Sequence, residues 1–212
     1  MTRVPWPTMR RSLVAILRGI RPDEIEPALD VLVEAGFTAI EIPLNSPDPF
    51  RSIETAVRSA PEGCLVGAGT VLNVEDVDRL HDVGGRLVVS PNTVPAVIAR
   101  ASDHSMVTMP GVMSPSEAFT AIGAGASALK FFPASVLGPQ GIAAIRAVLP
   151  SDMEVGAVGG VSERSFEDYA KVGVRTFGLG SSLYKPAMAA QEIASRAEAT
   201  VAAYDRVFGG AQ

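Results

Sequence analysis

A single-domain (β/α)8 barrel of the TIM type, spanning residues 1–212, is the α/β fold the sequence predicts, and three observations predict it. Eight short apolar runs recur along the chain, each about as long as a strand buried on both faces. Longer amphipathic stretches alternate with them. Several of those stretches stop at a glycine just before the next apolar run. With roughly 20 to 27 residues per βα unit, and no linker or charge run dividing the chain, a closed barrel is favoured over an open doubly wound sheet.

In order, the candidate strands are residues 12–19 (SLVAILRG), 39–45 (AIEIPLN), 65–72 (LVGAGTVL), 86–92 (RLVVSPN), 106–112 (MVTMPGV), 128–133 (ALKFFP), 154–161 (EVGAVGGV) and 176–183 (TFGLGSSL). After the first of them, Ile25, Leu29, Leu32 and Val33 recur at helical spacing. Before the sixth, Ser114 is placed as an N-cap, Pro115 at the first helical position and Glu117 as the capping-box partner. Gly36, Gly84, Gly125 and Gly173 are expected to end their helices in the left-handed conformation. A last helix over 186–208 closes the outer ring, with a loose tail expected over 209–212.

Composition narrows the function classes. The chain is 47% hydrophobic and 19% charged, as suits a compact enzyme-like globule with buried strands. A formal charge of −5 and 18 scattered Lys and Arg argue against a nucleic-acid partner, which needs a concentrated basic face. No apolar run approaches membrane-spanning length, and SLVAIL (12–17) is too short for a signal-peptide core. Cys64 has no second cysteine to pair with, so a reducing cytoplasm is expected; with only His81 and His104 beside it, no metal-ligand cluster stands out.

In such barrels the chemistry sits where strands end and βα loops begin. Alternation in the sixth run puts Leu129 and Phe131 toward the helices and leaves Ala128, Lys130 and Phe132 facing inward. A desolvated lysine has a lowered pKa and a usable neutral amine, the requirement for attacking a ketone to form a Schiff base. Glu41 faces inward by the same argument, between Ile40 and Ile42, and can shuttle protons beside such an amine. The plain alternative is a buried ion pair in which Glu41 only neutralises Lys130. Glycine turns after the last two strands, with Gly159, Gly160, Gly180 and Ser181, occupy the usual phosphate position of this architecture, although glycines also simply make turns. Arg18 is placed to hold a substrate carboxylate in fork geometry or to form a rim salt bridge, and Thr70 to donate a hydrogen bond or serve structure alone.

Taken in order, AILRGI, AIEIPLNSP, GAGTVL, SPN, PGVMSPSEAFTAIGAGASALKFFPAS, GPQGIAAIRAVLP, AVGGV and GLGSSLY resemble the class I aldolases that act on 2-keto-3-deoxy-6-phospho sugar acids. The resemblance covers almost the whole chain. It implies Lys130 as the Schiff-base lysine, Glu41 as proton donor and acceptor, Arg18 and Thr70 as substrate contacts, and Gly160, Gly180 and Ser181 as phosphate contacts. It also implies pyruvate and D-glyceraldehyde 3-phosphate as products, no metal or other cofactor, and a homotrimer. Gluconate-type relatives carry an arginine where this chain has Asn45 and a threonine where it has Val158, so both positions look galactonate-like and bear on which C4 epimer is used. Two readings stand beside this one: the same chemistry on the gluconate epimer, and a non-catalytic phosphosugar-binding barrel.

Overall fold

A computed structural model describes residues 3–209. Nine parallel strands lie among them: β1 (Leu13–Ile16), β2 (Ala39–Pro43), β3 (Leu65–Gly69), β4 (Leu87–Val89), β5 (Val107–Met109), β6 (Gly111–Val112), β7 (Ala128–Phe131), β8 (Glu154–Val158) and β9 (Thr176–Leu179). The helices alternating with them are α1 (Ile25–Ala35), α2 (Pro49–Ser59), α3 (Val74–Asp82), α4 (Pro95–Asp103), α5 (Pro115–Gly123), α6 (Ala134–Arg146), α7 (Phe166–Lys171) and α8 (Ala190–Phe208). Strand order is β5-β4-β3-β2-β1-β9-β8-β7-β6. The two ends of this sheet, β5 and β6, are one stretch of chain interrupted only at Pro110, so the sheet closes on itself as a barrel of eight staves.

The single run expected over 106–112 is therefore two strands. Pro110 has no N–H to give the ladder, and the chain changes partner there: β5 pairs with β4, and β6 with β7. The Pro110 carbonyl bridges the break by accepting from the Lys130 N–H at 2.9 Å.

Side-chain alternation divides the core into two layers. Val14, Ile16, Ala39, Leu87, Val89, Met109, Ala128 and Val158 fill the barrel, while Leu13, Ala15, Ile40, Ile42, Leu129 and Phe131 belong to the layer between strands and helices. Trp6 and Met9 pack against the interior cluster and floor the barrel, so the segment before β1 has a structural task.

The expected punctuation is present. Ser114 Oγ accepts from the Glu117 N–H at 3.3 Å, and the Glu117 carboxylate accepts from the Met113 N–H at 2.9 Å. Gly36, Gly84, Gly125 and Gly173 have φ between 77° and 104°. The last helix starts at Ala190 rather than at residue 186. Gly209 follows it as C-cap, and the rest of the expected tail, 210–212, lies outside the described residues.

Candidate active site

Lys130 stands on β7 with Gly111 and Gly156 as its register partners on either side. Neither flanking position can carry a side chain: a Cβ at Gly111 would lie 2.2 Å from the Pro91 carbonyl oxygen, and one at Gly156 2.2 Å from Met109 Cε. The residue is 5% exposed, and its Nζ lies 4.7 Å from the centroid of the Phe132 ring, on the inward side the alternation assigned to both. No described carboxylate oxygen lies within 4.0 Å of this nitrogen. Burial pushes the Lys130 amine below the ordinary lysine value, against a smaller upward pull from Glu41, with Arg18 adding to the downward shift.

Glu41, on β2, is 2% exposed, and its Oε2 is buried without a hydrogen-bond partner among the described residues. Burial pushes this carboxyl above the usual carboxylate range, and the cations Lys130 and Arg18 pull it partly back. The expected meeting of the two groups is therefore electrostatic, and the ion pair of the plain alternative is not formed. A desolvated amine and a desolvated, unbonded carboxyl facing one cleft are each displaced toward neutrality, which suits them to nucleophilic attack and proton transfer.

Gly69 explains how the carboxyl fits. A Cβ at this position would lie 1.6 Å from Glu41 Oε2 and 2.6 Å from its Cδ, so glycine on β3 is what gives the carboxyl its place. Gly69→Ala is expected to displace that group and to lower kcat by about 100-fold with the barrel still folded, since an ångström of misplacement costs about that much. Steady-state kinetics alongside circular dichroism checks this.

Both groups open into a cleft of about 570 Å³ at the end of the barrel where the strands finish. It is lined by Arg18, Glu41, Thr70, Lys130, Val158, Gly159, Gly160, Gly180 and Ser181, nine of the ten positions picked out in the sequence. Asn45 does not line it. Its Oδ1 accepts from Arg18 Nη1 at 2.7 Å, so it acts on the cleft through the arginine. Thr70 has φ 57°, an unusual value for a β-branched residue, and this left-handed turn ends β3 and brings the threonine to the rim.

Gly159 and Gly160, also lining the cleft, have φ 89° and 74°. Ser182 Oγ donates to the Val161 carbonyl at 3.1 Å and ties the turn after β8 to the turn after β9. The N–H groups of Ser181 and Ser182 make no hydrogen bond to a described residue. Free N–H groups beside glycines are the donors an anion cradle requires.

Tyr184, Lys185 and Pro186 also line the cleft. They follow β9 by at least five residues, beyond the strand ends where periodicity places inward side chains. Lys185 is the cation nearest in sequence to the second glycine turn, and that charge was the signal available. A larger cleft of about 700 Å³ lies at the barrel floor among the N-terminal segment, Glu154, Arg175 and Asp205; neither Lys130 nor Glu41 lines it. Cys64 is away from both, its thiol pushed up to about 11 by burial. His81 and His104 stack at 4.1 Å, with His104 Nε2 2.7 Å from Asp78 Oδ1.

Comparison with known proteins agrees with this fold. A family model described as KDPG and KHG aldolase matches residues 8–199. The chain is 67% identical over 212 residues, covering 100% of both chains, to a probable 2-dehydro-3-deoxy-6-phosphogalactonate aldolase of Rhizobium meliloti (strain 1021). It is 47% identical over 199 residues, 94% of this chain and 97% of the other, to the 2-dehydro-3-deoxy-6-phosphogalactonate aldolase of Escherichia coli (strain K12). A solved structure described as native KDPGal superposes with a TM-score of 0.94 at 45% identity, covering 97% of this chain and 99% of that one.

Proposed function

This chain belongs to the KDPG and KHG aldolase family, and we propose that within it the protein is a Schiff-base aldolase that splits 2-dehydro-3-deoxy-6-phosphogalactonate into pyruvate and D-glyceraldehyde 3-phosphate. The observation that carries the mechanism is the buried Lys130 amine, without an ion pair, in the same cleft as the unbonded Glu41 carboxyl.

The neutral amine of Lys130 adds to the C2 ketone. Glu41 then protonates the resulting hydroxyl, which leaves as water and gives the iminium. With the positive iminium as electron sink, Glu41 takes the proton of the C4 hydroxyl and the C3–C4 bond breaks. The C4 oxygen becomes the aldehyde of D-glyceraldehyde 3-phosphate, and the bonding pair forms an enamine on Lys130. Glu41 returns a proton to C3, and water releases pyruvate from the lysine. No redox step occurs, and the route uses no cofactor.

The two ends of the substrate are held by different groups lining the cleft. Arg18, oriented by Asn45, takes the C1 carboxylate with Thr70. The turns at Gly159, Gly160, Gly180 and Ser181 take the phosphate, with Lys185 as its neighbouring cation. A homotrimer is the assembly we propose, on the family resemblance, and the cytoplasm its place, since a phosphorylated substrate and an unpaired cysteine fit a reducing cell interior.

Val158 is 5% exposed, ends β8 and lines the cleft with no hydroxyl to offer the C4 oxygen. The galactonate epimer is expected to be cleaved with the higher kcat/KM when both phosphorylated epimers are assayed by coupled reduction of pyruvate. Val158→Thr is expected to move the ratio toward the gluconate epimer by about tenfold, the worth of one hydrogen bond to substrate. Preference for the gluconate epimer by the unmodified protein would overturn the substrate assignment.

A further inference from the structure

Arg196, on the second turn of α8, reaches back to the turn that follows β9. Its Nη1 donates to the carbonyls of Ser181 and Ser182 at 3.4 and 3.3 Å, and its Nη2 donates to Glu192 Oε1 at 2.7 Å. The Gly180 carbonyl is already taken by the N–H groups of Leu183 and Tyr184, both at 2.9 Å. All three carbonyls of this turn are thereby engaged within the protein.

Arg196 does not line the cleft, whereas Gly180 and Ser181 do. A trans peptide unit is planar with its C=O and N–H antiparallel. With the Ser181 carbonyl on Arg196, the Ser182 N–H is directed the opposite way, and it has no acceptor among the described residues. Released from the guanidinium, the same carbonyls would be free to rotate toward the cleft and present negative dipoles to an anion.

We infer that Arg196 is a positioning residue for phosphate recognition: it holds the Ser181 and Ser182 carbonyls so that the N–H of their shared peptide faces the substrate's phosphate. The inference rests on the cleft being the site of a 6-phosphorylated substrate. Its role is geometric, so a half-exposed ion pair with Glu192 suffices to steady it.

The test compares Arg196→Met and Arg196→Lys with the unmodified protein. For Arg196→Met, KM for the phosphorylated substrate and Ki for sn-glycerol 3-phosphate are both expected to rise about tenfold, as for the loss of one charge-assisted hydrogen bond, with kcat within about twofold. The rate at which pyruvate and borohydride label Lys130 should not change, because pyruvate carries no phosphate. Arg196→Lys keeps a donor and should recover most of the loss. A parallel fall in pyruvate labelling would mean a merely structural role, and an unchanged KM would mean none; either overturns the inference. Absence of competition by sn-glycerol 3-phosphate in the unmodified protein would instead overturn the phosphate assignment itself.

Discussion

Lys130→Met is expected to lower kcat by about four orders of magnitude or more, the loss typical of removing a covalent nucleophile. It is also expected to melt no lower than the unmodified protein. The native residue is 5% exposed on β7 with no described carboxylate oxygen within 4.0 Å of its amine, so burial outweighs the pull of Glu41, and a methionine of similar length removes that cost. Loss of activity with stability retained separates chemistry from folding. Borohydride with pyruvate should add the pyruvate-derived mass to Lys130 in the unmodified protein and to nothing in the variant. Labelling requires the neutral amine, so it rises with pH through the amine's own pKa. Because burial holds that value below 10.5, half-maximal labelling should come below the pH of an ordinary lysine. An adduct at another lysine would sink the mechanism.

Glu41→Gln should reduce kcat by about 10²- to 10⁴-fold, the usual worth of a positioned acid–base group, with KM little changed. Glutamine preserves the shape of the side chain beside Gly69 but can neither take the C4 hydroxyl proton nor return one to C3. The most direct readout is deuterium entry into the methyl group of pyruvate in D2O, followed by proton NMR. That exchange needs the Lys130 enamine and a proton carrier, without any phosphorylated aldehyde. It should slow in step with kcat. Exchange at the unmodified rate would transfer the proton work to another group and leave Glu41 as an electrostatic neighbour of Lys130.

Much of this architecture could be read from the chain because buried strands and amphipathic helices leave different periods in the sequence. The inward positions of Lys130 and Glu41 followed from a period of two, and the structure puts both inside the barrel. Strand ends were less visible. The runs were carried past their true ends, as at 65–72, because Val71 and Leu72 are as apolar as the strand itself. The chain turns there through the positive φ of Thr70, a backbone state that residue type does not announce. The break at Pro110 had a visible cause, a residue without an N–H, yet one apolar run concealed it. Asn45 was read as a position bearing on epimer choice, and its contact with Arg18 was not legible in the sequence. Contacts of that kind join loops far apart in sequence and leave no local period. Arg196 belongs with them: fourteen to fifteen residues separate it from the carbonyls it holds.

Closure of the sheet through Pro110 also limits how copies of this chain can associate. An open sheet offers a row of unpaired backbone groups at each margin, onto which a neighbouring molecule can add a strand. Here β5 and β6 are consecutive and each is already paired on its other side, so the cylinder has no margin to extend. Strand addition to the barrel sheet is therefore closed to any assembly, which leaves the outer helices and loops as the surfaces for subunit contacts, and these can be altered by surface substitution without disturbing the strands that carry Lys130 and Glu41.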